Sequence, residues 1–97
     1  MGADGRDVSF AGLPGDDLVE RGIADLDHGR ETIEALVVSI GATRLGAVGI
    51  RVPSPISSPE HKLYELLASE DEDSAHSRYN ALIRRLVSFE RAAEASA

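Results

Sequence analysis

Cysteine is absent from the 97 residues, which removes disulfides, thiolate nucleophiles and cysteine-ligated zinc from consideration. A chain without cysteine suits a reducing compartment, so a cytoplasmic location is expected. Tryptophan is absent as well, and two Tyr and two Phe are the whole aromatic complement. The core must therefore come from Leu, Ile, Val and Ala. No apolar run exceeds a few residues, far short of the roughly 20 that span a bilayer, so no transmembrane helix is expected. The stretch Met1–Asp7 has neither a basic n-region nor an apolar h-region, which argues against a secretory signal. Gly2 is followed by Arg6 where myristoylation wants Ser or Thr.

What is present fits one small domain. Hydrophobic residues make up 42%, enough for a core and too many for a disordered chain. The net charge is −7 and is unevenly placed. Residues 1–30 carry seven acids and three bases, residues 31–58 two of each, and residues 59–97 eight acids and five bases. An acidic chain repels phosphate backbones and anionic lipid, which counts against nucleic-acid and membrane partners.

Residues 1–15 are rich in Gly and Asp, end in the turn signal Leu13-Pro14-Gly15, and read as a flexible arm that Phe10 and Leu13 could pin to the body. Residues 16–97 read as a single helical domain. Asp16, Asp17 and Glu20 place negative charge at a helix start. From there Val19, Gly22, Leu26, Gly29, Ile33, Leu36 and Ile40 recur on a 3-4 rhythm. This spacing predicts one long or kinked N-terminal helix whose seam alternates large residues with glycine. A break at Gly29 is the competing reading, because glycine costs about 1 kcal/mol in a helix interior relative to Ala. The β-branched residues near 34–40 and 47–52 also permit two short strands in an α+β fold.

Val52–Ser58 is a proline-stiffened connector, and Ser58-Pro59-Glu60 reads as N-cap, N1 and N2 of a new helix. An acidic link over 69–73 precedes a last helix marked by Ala75, Tyr79, Leu82, Leu86, Phe89 and Ala93. The expected fold class is an all-α small bundle: the N-terminal helix, then an α-hairpin of residues 59–69 and 74–94.

Site signatures are sparse. Gly41, Gly46 and Gly49 lack the spacing of a dinucleotide fingerprint, and no Gly-Lys-Ser/Thr follows to make a phosphate loop. No Gly-x-Ser-x-Gly elbow occurs. Each histidine has a carboxylate at helical spacing: Asp25 with His28, His61 with Glu65, and Glu72 or Asp73 with His76. Such pairs can build metal sites in bundles, and a metal-dependent helical enzyme is one reading. None lies on the apolar seam, so no metal or other cofactor is expected. On the last helix, Arg84 and Arg91 lie a heptad apart on the polar face and support a nucleic-acid-binding or regulatory alternative. Arg78 and Arg85 flank the apolar stripe and suit pairing with acids of a neighbouring helix.

The favoured function is a non-catalytic helical protein–protein interaction module that self-associates as a homodimer. Its expected interface is Val19, Gly22, Leu26, Gly29 and Ile33, edged by Arg78 and Arg85.

Overall fold

The computed structural model describes residues 10–96, which contain five α-helices and no strand. The helices are α1 (Asp16–Asp27), α2 (Ile33–Ile40), α3 (Ala42–Ala47), α4 (Pro59–Glu70) and α5 (Ala75–Ser96), with a 3-10 turn at Glu72–Ser74 before α5. The all-α expectation holds, and the strands considered near 34–40 and 47–52 do not form. Residues 34–40 are helical, and Val48, Ile50 and Val52 pack half-buried in an irregular connector. Of the expected arm, residues 1–9, with Gly2 and Arg6, lie outside the described residues. Phe10 and Leu13 pack on the body, with the Phe10 ring 6.1 Å from that of Phe89.

The N-terminal seam does not run through one helix. It breaks at Gly29, whose φ of 70° is the left-handed conformation that glycine adopts without cost. The Gly29 N–H donates to the Leu26 carbonyl at 3.0 Å and the Arg30 N–H to the Asp25 carbonyl at 2.8 Å. This is a complete Schellman ending for α1. Two residues on, the Thr32 hydroxyl accepts from the Ala35 N–H at 3.1 Å and so caps α2. The same hydroxyl donates to the Asp25 carboxylate at 2.6 Å. One stop and one start thus sit back to back, and α1 folds against α2.

Gly22 makes that fold-back close. A Cβ there would lie 2.4 Å from the Glu34 carbonyl oxygen and 2.7 Å from Val38. The glycine does admit a neighbouring helix, as its seam position suggests, and the neighbour is the chain's own α2.

Helix α2 is the centre of the molecule. Ala35, Leu36, Val37 and Val38 are each at most 1% exposed, and α1, α4 and α5 all pack on this helix. A segment apolar on every side has to be covered on every side. Leu18 and Val19 of α1, Leu63 and Leu67 of α4, and Leu86, Phe89 and Ala93 of α5 complete the core, with Leu45 of α3.

The connector is anchored at both ends. Gly49 (φ 91°) closes α3 with a second Schellman pair, Gly49 N–H to Gly46 carbonyl and Ile50 N–H to Leu45 carbonyl. Near its other end the Ile56 N–H donates to the buried Ser39 hydroxyl at 3.0 Å. Pro59 opens α4 as expected, but Ser58 does not cap it. Its backbone is left-handed (φ 49°) and its side chain makes no capping hydrogen bond.

Two glycines separate close approach from mere permissiveness. Gly22→Ala drives a Cβ into backbone and should destabilise the fold by about 1–3 kcal/mol. Gly46→Ala, in α3 with open space around the new methyl, should stabilise it by about 0.5–1 kcal/mol. Leu86→Ala should cost on the order of 2–5 kcal/mol and Arg84→Ala within about 0.5 kcal/mol. Urea unfolding of the four variants measures all of this, and equal losses for Leu86 and Arg84 would contradict the packing of α5.

Candidate functional site

The residues expected to form an interface fall on the inside. Val19 and Leu26 are 3% and 7% exposed, Gly22 is pressed against α2, and Ile33 is half-buried. Gly29 is exposed at the turn. The apolar edge that would have needed a second copy is covered by the chain's own helices.

The arginines flanking the stripe of α5 do pair with neighbouring helices, again within the chain. Arg85 donates to Asp17 of α1 at 2.9 Å, and Arg78 lies 2.9 Å from Glu70 of α4. Burial pulls the Asp17 carboxyl upward, but the Arg85 hydrogen bond and charge outweigh it and hold Asp17 below its ordinary range. Arg84 and Arg91 are both exposed, and among the described residues neither forms an ion pair.

Only one of the three histidine–carboxylate pairs closes. His61 lies 3.2 Å from Glu65, with both side chains well exposed. The Asp25 carboxylate is taken by Thr32, leaving the His28 ring nitrogen 2.8 Å from the Ala24 carbonyl. His76 faces Asn80 at 3.3 Å rather than an acid. Among the described residues no three potential ligands come together to hold a metal.

Among the described residues, a groove of about 770 Å³ lies between α1 and the connector. Val19 and Ile23 line it from α1, Ile50 and Pro53 from the connector, together with Phe10 and Phe89. Its rim is charged. Asp16, Glu20 and Asp27 stand along α1, and Arg51 is the single base among the lining residues. Steps of four and seven residues keep the three acids on one helix face, the face of α1 that does not pack on α2. Asp16 also accepts from the Gly12 N–H at 2.8 Å, and among the described residues none of the three acids pairs with a base.

A second charged cluster pins α3 to α5. Arg44 reaches Glu90 at 3.0 Å and Glu94 at 2.9 Å. Glu90 is 4% exposed and fills the space beside Gly41, where a Cβ would meet its oxygen at 2.6 Å. Burial pushes the Glu90 carboxyl above its ordinary value, the pull of Arg44 notwithstanding. Glu94, hydrogen-bonded by Arg44 and open to solvent, is held below its own.

Sequence reasoning missed the groove. It reads Asp16 and Glu20 only as helix-start charges and Asp27 and Ile23 not at all, although the four- and seven-residue spacing of the three acids is a signal that marks one face of α1. The opposing wall carries no such signal, because Ile50 and Pro53 belong to a segment with no regular period.

The buried carboxyl yields a pH signature. A raised folded-state pKa means the protonated form is favoured by folding, so this contribution is full at low pH and is lost as pH rises through Glu90's folded value. Glu94 and Asp17 act in the opposite sense, losing their contributions as pH falls. Glu90→Gln removes only the first effect, so its stability relative to the parent should rise with pH between about 4 and 7. Urea unfolding across that range measures the difference, and a flat difference would mean that burial does not perturb Glu90. No family model, characterised protein or solved structure matches the chain, so it is placed by its architecture alone, a small all-α bundle.

Proposed function

We propose that the chain is a non-catalytic helical interaction module and that the groove between α1 and the connector is its docking surface. One observation carries this reading: a concave floor on which the half-buried apolar residues Ile23, Ile50 and Pro53 are brought together between α1 and the connector, beside the acidic outer face of α1. Small domains seldom leave clustered apolar surface without a use. Among the groove's lining residues the groups able to act as nucleophile or base are the carboxylates Asp16, Glu20 and Asp27, with no serine, threonine, histidine or lysine beside them.

The seam that suggested a homodimer is spent on the chain's own core, and the case for a second copy at that face goes with it. Zero cysteine remains in keeping with a cytoplasmic setting, and among the described residues no helix is long and apolar enough to cross a membrane.

A photo-crosslinking residue separates the groove from the rest of the surface. Placed at the exposed Ala24 on the groove lip, it should yield discrete adducts in cells. Placed at the exposed Glu65 on α4, it should not. Identical adducts from both positions, or none from Ala24, would defeat the reading.

A further inference from the structure

Resting on the reading of the groove as a docking surface, we infer that its occupant is a cationic amphipathic helix of another protein. The argument is one of charge and spacing. Three carboxylates, Asp16, Glu20 and Asp27, face one guanidinium, Arg51, across an apolar floor. The acids extend over the twelve residues of α1, eleven steps or about 16 Å at 1.5 Å per residue. A helix laid along the groove would match them over roughly three turns, with leucine-like anchors on Ile23 and Ile50 and lysine or arginine on its flanks. Such pairing sets partner choice and encounter rate more than raw affinity.

The same charges reject the other occupants. A second copy of a chain carrying −7 would bring carboxylates against carboxylates. Nucleic acid and anionic lipid headgroups would be repelled by the rim. Elsewhere Asp17, Glu70, Glu90 and Glu94 are each matched by an arginine of the same chain. On the rim of α1 the negative charge faces outward beside the apolar floor of the groove.

The probe is a labelled amphipathic peptide of leucine and lysine, roughly four turns long, compared with the same peptide carrying glutamate for lysine. Fluorescence anisotropy reads binding. The lysine peptide should bind and the glutamate peptide should bind at least about tenfold more weakly. Asp16→Asn/Glu20→Gln/Asp27→Asn should weaken the lysine peptide by about tenfold, the sum of three exposed ion pairs of ordinary strength. Glu60→Gln/Glu65→Gln/Glu72→Gln removes the same net charge elsewhere and should weaken it by less than about threefold. Equal losses from the two triple variants, or no binding of the lysine peptide, would overturn the inference.

Ile23→Ser and Ile50→Ser, kept only if their urea midpoints stay near the parent's, test the groove itself. If they weaken neither peptide, the docking surface is wrong. If they weaken both peptides equally, the groove stands and the cationic partner falls. A dimer in sedimentation equilibrium that Ile23→Ser dissociates would assign the groove to a second copy. A gain of more than about tenfold on removing residues 1–9 would assign it to that segment. Either result overturns the proposal.

Discussion

A carboxylate, a hydroxyl and a glycine within eight residues decide the shape of this molecule. Asp25 accepts from Thr32, Thr32 caps α2, and Gly29 takes the left-handed step between them. Without that reversal the 3-4 seam would continue as one long helix with an apolar edge that a chain this short could not cover. With it, α1 turns back on α2, and Gly22 lets the two backbones approach until side chain meets backbone. Buried or half-buried hydrogen bonds of this kind each contribute on the order of 1 kcal/mol. Their larger effect is to exclude the extended alternative.

The rest of the packing follows from α2. Its four consecutive near-zero exposures require cover from three sides, and the chain supplies it with α1, α4 and α5. Helix α1 gives its inner face to α2 and keeps its outer face acidic. The groove forms where that outer face meets a connector too irregular to close over it.

The all-α class, the start of α4 at Pro59 and the inward stripe of α5 were legible because each rests on local rules. These are helical period, the preference of proline for a first turn, and heptad spacing. The break at Gly29 was legible only in part. Thr32 has no Glu or Gln three residues on, so the two-sided capping box is missing, and the partner that completes the start is Asp25, seven residues back. Whether a periodic seam faces its own chain or another is a tertiary question, and Val19, Gly22 and Leu26 fit both answers as sequence. The Arg44–Glu90–Glu94 cluster joins residues about 50 apart, beyond any local pattern. Arg78 and Arg85 pair with other helices, as their edge positions suggest, though with Glu70 and Asp17 of this chain.

The groove has walls of different mechanical character. One is a helix whose amides are bonded along its length and whose inner face is locked into the core. The other is a connector held near its ends, at the Gly49 closure and at the single bond from the Ile56 amide to Ser39. Segments tied by few backbone bonds open at a free energy far below that of global unfolding. Amide exchange would therefore run fast on the connector and slow on α2. A groove with one rigid and one yielding side can adjust its width to the residue it receives, and fixing the yielding side on binding draws on conformational entropy.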